Sequence, residues 1–563
     1  MSEPPSSPTP DRASEDVTPG TKVESPSIMR SSAIMAAGSL ASRILGLARN
    51  TMTIAVVGLN LMPSDAWNAA NTLPNIFHLL IAGGVLNAVI VPQITKALRH
   101  EDGGVVYINR LLTLAVTVLA GVTLVLTLAA PLLISLVVSS SWDSEARGLA
   151  TAFAVICLPQ VFFYGLYTLL GQVLTAHNRF GMFMWAPALA NVVAIAGLSW
   201  FLLTGAQLKA PISEWSPTMI AVLGGSATLG IALQALVLIP PLRATGLRFR
   251  PVWGIRGSGL GSASRMAVWA FAAVSVGQLG YFVNSRVLTD ATKRATEAGI
   301  EGAGLTAYAN AYLLFMLPHG LVTVSLVTAL FTRLSHAAHD GDTAAVTADL
   351  RRGMTMPAVL LIPATAVVVL LAPHVLAAIL PGTDRAATNA SVGVLVTMML
   401  GLVPYGWFFL VQRAFYAYED GRTPFVLQVL VTLVAVSVTL IGSTRPAEHV
   451  ATWVGSGQTL SNLAAAPIGL WLLRRRLGRL RLGRVVRQNV RLLVATGVAT
   501  ALGWGALRLL SGPVAAETWL GSLIICLVVG TLVLVVTLAL AARMRVREVT
   551  EVLEPLTRRL ARG

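Results

Sequence analysis

From residue 32 to residue 543 the chain is a succession of apolar stretches, with no polar interval between them long enough to hold a domain of its own. Most reach or exceed the roughly 20 residues that a helix needs to cross a hydrocarbon layer. In lipid every backbone N–H and C=O must find a partner within its own segment, so such stretches fold as helices. Counted along the chain there are about fourteen of them. Charged residues make up 12% and hydrophobic ones 55%, with a mean hydropathy of +0.72. A soluble domain carries about 25% charge, so an ordinary soluble enzyme is excluded. The reading is an all-α polytopic membrane protein.

The net charge of +16 would point to nucleic acid in a soluble protein. Here it serves to orient the chain, because Lys and Arg concentrate on the cytoplasmic side of a membrane. The two richest clusters, Arg243 to Arg265 and Arg474 to Arg487, lie on the side that holds the N-terminus. Both termini are therefore expected in the cytoplasm, with anionic membrane lipids as natural neighbours and no nucleic acid as a partner. Residues 1–31, rich in Pro, Ser, Thr and charge, read as a disordered cytoplasmic tail, and 544–563 as a basic cytoplasmic tail. A cleaved signal peptide does not fit, since the first apolar stretch runs on through Arg43 and Arg49 to about residue 58. Cys157 and Cys526 sit in separate apolar runs and make neither a disulfide framework nor a metal site; no metal or other cofactor is expected.

Charge inside a span costs about 2.5–3.5 kcal/mol on insertion scales, so each case asks for a reason. Arg110, Arg491 and Arg508 lie near span ends and can snorkel to the interface, and Arg413 closes the tenth segment. Arg43 and Arg49 are different. They stand six residues apart in the first span, about 9 Å along an ideal helix, and snorkelling cannot serve both. Asp65 is the one acidic residue well inside either neighbouring span, and Arg286 adds a further cation from the seventh. A cavity with surplus Arg and few carboxylates suits an anion, and guanidinium matches phosphate oxygens with paired hydrogen bonds. The plain alternative is that Arg49 pairs with Asp65 across the first hairpin.

The second span carries Asn68, Asn71, Asn75 and His78 at spacings of three, four and three, which places all four on one helix face. Such a stripe faces either other helices, as interhelical glue, or a polar lumen. Pro74, Pro187, Pro318 and Pro404 fall within spans, where proline kinks a helix, and broken helices are a feature of alternating-access transporters. Signatures of catalysis are missing: there is no Walker loop, HExxH or nucleophile elbow. No enzyme is expected.

Ser42-Arg43-Ile44-Leu45-Gly46-Leu47-Ala48-Arg49 resembles the first-span motif of the MurJ (MviN) lipid II flippases. Asp65-Ala66 with Leu73-Pro74-Asn75 resembles that family's second span. Asn178-Arg179-Phe180 with Ala186-Pro187 and Asn191 resembles its fifth-span entry, and Phe415-Tyr416, Asp420 and Thr423-Pro424 its eleventh. The resemblance implies two helical lobes around a central cavity, 32–242 and 263–473. It also implies an added pair of C-terminal helices, 488–543, forming a groove for the substrate's lipid tail. By the same resemblance the substrate is lipid II, an undecaprenyl-diphosphate-linked disaccharide-pentapeptide. The protein would move it from the cytoplasmic to the outer leaflet of the bacterial cytoplasmic membrane. Arg43, Arg49 and Arg286 would hold the diphosphate, Asp65 would orient one of them, and Pro74 would serve the gating bend. Asn68, Asn71, Asn75 and His78 would line the headgroup path.

The chain departs from the family pattern at His78, where many members carry Arg, at Gly83, where many are acidic, and at Ala311-Tyr312-Leu313, where an Asp-Arg pair is common. Arg286 would make up part of that missing charge. The eleventh span lacks the carboxylates with which some relatives hold sodium, whereas coupling to membrane potential, at about 2.3 kcal/mol per charge per 100 mV, needs none. Two alternatives stay open: a flippase for another polyprenyl-linked glycan, and a non-transporting scaffold that gathers cell-wall synthesis proteins on its basic loops.

Overall fold

The computed structural model describes residues 28–81, 105–177, 179–247, 249–253, 265–512 and 518–550. Most of the N-terminal tail, the continuation of the second span through Gly83 and most of the basic C-terminal tail lie outside the described residues. What is described is helical, without a strand.

The N-terminal lobe begins with α1 (Ile28–Val57) and α2 (Met62–Ile81). The third rod is α3 (Val105–Leu128) with α4 (Ala130–Val137), and the fourth is α5 (Ser144–Cys157) with α6 (Gln160–Ala176). Then come α7 (Gly181–Leu203), α8 (Pro217–Leu236) and the short α9 (Ile239–Arg243). The C-terminal lobe opens with α10 (Arg265–Glu297) and α11 (Leu305–Pro318), which passes through a π-helical turn (His319–Val324) into α12 (Ser325–His339). It continues with α13 (Thr343–Thr355), α14 (Ala358–Leu370), α15 (Ala372–Ile379), α16 (Arg385–Leu400), α17 (Leu402–Ala417), α18 (Arg422–Ser443) and α19 (Ala447–Leu477). The last pair is α20 (Gly483–Leu510) and α21 (Trp519–Arg543). These two pack on each other and on α14 and α15, outside the other helices of the C-terminal lobe.

Nine helices or helix successions among the described residues are long and apolar enough to cross a membrane, or ten when α16 and α17, bent by 43°, count as one span. This falls short of the expected fourteen. The long helices outside that set are α1, α2, α10 and α19, which carry Arg43 and Arg49, Asp65 and the asparagines, Arg286 and Asp290, and Glu448 with Gln458 and Asn462. Polarity removes them from the apolar class, and polarity is also what builds the site below.

The prolines divide into two groups. Pro318 leads into the π turn and Pro404 follows the bend at Gly401, whereas α2 and α7 run unbroken through Pro74 and Pro187. At Pro74 the helix goes on past the one backbone bond that proline removes.

Between helices in lipid, close backbone approach replaces the hydrophobic effect as the source of association. Gly38, Ser42 and Gly46 form a small-residue face on α1 against Trp185 and Asn191 of α7, and Asn191 Nδ2 donates to the Ser42 carbonyl at 3.1 Å. On α8, a Cβ at Gly230 would stand 2.6 Å from the Ala190 carbonyl oxygen. Since that neighbour is main chain, the two helices would have to part. Gly230→Val is expected to cost about 1–3 kcal/mol, seen as a lower thermal unfolding temperature in detergent. Gly225→Ala, which meets nothing within 4 Å on the same helix, serves as the neutral control; equal temperatures for both variants would refute the close-packing argument.

Candidate functional site

The end of the bundle where α1 begins is called proximal here and the opposite end distal. The lobes are tied together at the distal end. Asp65, in the first turn of α2, has no solvent-accessible surface. Its carboxylate accepts from Thr292 Oγ1 of α10 at 2.6 Å and from the main-chain N–H groups of Leu305 at 3.1 Å and Thr306 at 2.8 Å. The last two are unpaired donors at the start of α11, where a helix favours negative charge. Asp65 is thus a helix cap supplied by the other lobe. The sequence expectation that it orients an arginine gives way to this, as does the alternative pairing with Arg49.

Further bonds follow the same distal seam. Asn60 Nδ2 donates to the Ala387 carbonyl at 3.0 Å, and Thr51 Oγ1 to the Ile379 carbonyl at 2.7 Å. Trp142 Nε1 donates to the Thr289 carbonyl at 2.9 Å, and Asp290 accepts from Ser139 Oγ at 3.0 Å and Ser141 Oγ at 2.7 Å. Lys209 Nζ meets Asp384 at 3.1 Å. Arg286 also belongs here: its Nη1 donates to the Ser135 carbonyl at 3.1 Å, at the distal end of α4. The structure therefore does not bring Arg286 to the first-span arginines, contrary to the sequence expectation.

Toward the proximal end the lobes separate. The last tie in that direction joins Asn50 Nδ2 of α1 to Asn310 Oδ1 of α11 at 2.6 Å. Below it, α12 packs on α13 and α17 within its own lobe, and none of the described N-lobe helices packs substantially against it. Among the described residues the result is a cleft closed at the distal end, with no tie between the lobes proximal to Asn50 and Asn310.

Arg43 and Arg49 line the N-lobe side of this cleft differently. Six residues turn them about 120° apart on an ideal helix. Arg43 shares a face with Asn50, the face turned to the other lobe, and is exposed. Arg49 is half-buried, beside Tyr164 of α6. Neither arginine has an ion pair among the described residues. His78 lies next to the same tyrosine, with ring centroids 5.3 Å apart. Asn68 accepts from Thr72 Oγ1 at 3.2 Å, and Asn75 is exposed. His78, at the end of the α2 stripe, and Arg49 thus both lie beside Tyr164, a residue that the sequence analysis did not single out.

The remaining span cations are otherwise engaged. Arg413 lies over Phe409 at 5.0 Å, Arg508 over Trp504 at 5.1 Å, and Arg491 donates to the Met544 carbonyl at 3.1 Å. Among the described residues no three His, Cys, Asp or Glu side chains converge as a metal site would require. Among the described residues the cleft offers two guanidiniums without carboxylates, together with amides, an imidazole and a phenol: a set of donors for an anion with polar attachments, and no nucleophile–base pair.

Comparison with known proteins gives a consistent picture. The family model described as lipid II flippase MurJ matches residues 55–540. The lipid II flippase MurJ of Burkholderia cenocepacia is 28% identical over 418 residues, 72% of this chain and 77% of that protein. The probable lipid II flippase MurJ of Synechocystis sp. is 26% identical over 490 residues, covering 84% and 86%. Among solved structures, a lipid II flippase MurJ in an inward closed conformation superposes with a TM-score of 0.67 at 17% identity, over 92% of this chain and 100% of that one. An inward-facing multidrug-resistance MATE transporter of the MOP superfamily gives 0.56 at 16% identity, over 80% and 99%.

Proposed function

Because the chain belongs to the lipid II flippase MurJ family, we propose that it carries lipid II across the bacterial cytoplasmic membrane by alternating access. It is a multi-pass membrane protein that moves its substrate and has no bond to break. The observation that carries the reading is the pair Arg43 and Arg49, left without a carboxylate among the described residues because Asp65 is spent on the distal seam. Two guanidiniums so placed favour a diphosphate over a cation or neutral drug.

The loop charges assign the proximal end to the cytoplasm, which makes this conformation open inward and sealed outward. Lipid II enters from the inner leaflet with its diphosphate at Arg43 and Arg49. Its headgroup lies along Asn68, Asn71, Asn75 and His78, and its tail remains outside the lobes, along α20 and α21. Release of the distal seam and closure below Asn50 and Asn310 then turn the same groups outward. The basic proximal loops leave room for cell-wall synthesis proteins as partners.

The test is native mass spectrometry of the purified protein with lipid II, undecaprenyl phosphate and phosphatidylglycerol, repeated for Arg43→Ala. Selective retention of lipid II that falls in the variant is the expected result. Equal retention of all three, unchanged by the substitution, would remove the diphosphate site and favour another glycan or a scaffold role.

A further inference from the structure

The C-lobe side of the cleft carries a second polar stripe. Ser325, Thr328, Thr332, His336 and His339 follow along α12 at spacings of three, four, four and three, one narrow face of the helix, and all five are exposed. The other face of α12, with Val327, Leu330 and Leu334, is buried against α13 and α17. The three hydroxyls donate to no described residue. Elsewhere in the bundle Thr53, Thr113 and Thr168 return theirs to the carbonyl one turn back.

A helix face turned to lipid looks otherwise in this same protein: α20 exposes Val490, Leu493, Val498 and Leu502. Ser325, Thr328 and Thr332 on one unpacked face do not suit hydrocarbon, so the stripe borders the aqueous cleft, across from the Arg43 face of α1. His336 and His339, in the last turn of α12, continue it to the proximal end. Its chemistry is unlike that of the opposite wall. It holds hydroxyls and imidazoles with neither carboxylate nor guanidinium among them. Arg333, off to one side, is tied to Asp349 at 2.9 Å.

We infer that this stripe is the subsite for the sugar and peptide part of the translocated lipid. The α1 arginines hold the diphosphate, and the α12 hydroxyls exchange hydrogen bonds with hydroxyl and amide groups of the headgroup. The inference rests on the flippase reading above and deepens it: charge is recognised by the N-lobe arginines, and the headgroup is held between the α2 stripe on that lobe and the α12 hydroxyls on the other.

Two probes separate the terms: lipid II, and undecaprenyl diphosphate, which has the same tail and phosphates without the headgroup. The full-length protein in detergent is titrated with each by native mass spectrometry, as wild type, T328V/T332V and T328S/T332S. Valine keeps the branched shape and removes the hydroxyl, while serine keeps the hydroxyl. We expect wild type to prefer lipid II, T328V/T332V to lose about tenfold in lipid II affinity with undecaprenyl diphosphate unchanged, and T328S/T332S to behave as wild type. An unaltered preference in T328V/T332V overturns the subsite, as does an equal loss for both lipids or the same loss in the serine variant. If wild type binds both lipids equally, the subsite falls while the diphosphate site stands. If it retains neither above phosphatidylglycerol, the flippase reading falls with it.

Discussion

Arg49→Ala is expected to abolish translocation while the protein still inserts and accumulates in the membrane. The side chain is half-buried on α1 beside Tyr164, without an acidic partner among the described residues, so its removal leaves no orphaned carboxylate and little reason to misfold. What disappears is a forked donor for phosphate oxygens. A hydrogen bond to a charged group contributes about 1.5–3 kcal/mol, so taking a bidentate pair out of the loading step lowers diphosphate affinity by one to two orders of magnitude at the least. Arg49→Lys should recover only part of this, because an ammonium is a point charge without the planar fork. The measurement is the fraction of lipid II reachable from outside in cells that depend on the variant, beside a membrane-fraction blot. Normal outward lipid II with Arg49→Ala would end the case for an anion site here.

Asp65→Ala should act on conformation instead. It strands the N–H groups of Leu305 and Thr306, while Thr292 Oγ1 keeps the Leu288 carbonyl at 3.2 Å, and a buried donor without an acceptor costs about 1–3 kcal/mol. The cost falls on the distal-closed state, because water can satisfy the same groups once the seam opens. A penalty of about 3 kcal/mol is more than a hundredfold in population. A cysteine at Ala303, buried in the seam, reports it after Cys157 and Cys526 are replaced. Its reaction with a membrane-impermeant maleimide should speed up at least tenfold in Asp65→Ala. Asp65→Asn should fall between, since the amide oxygen can still accept from α11 while the charge is gone. Unchanged labelling in Asp65→Ala would show that the carboxylate does not hold the seam.

The membrane class of the chain was legible because hydropathy is a property of segments, and so was the position of Arg43 and Arg49, because charge in lipid demands explanation wherever the helix turns. Their partners were not legible. Asp65 looked like a mate for Arg49 because charges were matched with charges. Its actual partners are two amides 240 and 241 residues away and a threonine, and backbone donors carry no mark in a sequence. Arg286 was misplaced for a related reason: position within a span says nothing about which end of the bundle the guanidinium reaches. The α12 stripe has the same three-and-four spacing as the α2 stripe, yet it escaped notice because Ser and Thr blend into apolar spans more readily than Asn does.

The distal seam has one more property. Asn60, Thr51 and Trp142, like Asp65 in two of its three bonds, reach from the N-lobe to main-chain atoms of the facing segment. A carbonyl or amide cannot be mutated away, so the residues that supply it are free to drift under selection. Across a set of descendants these bonds should leave a one-sided trace, with fixed side chains on the N-lobe wall and variable positions opposite, and pairwise covariation would find only the side-chain pairs such as Lys209 with Asp384 and Ser141 with Asp290.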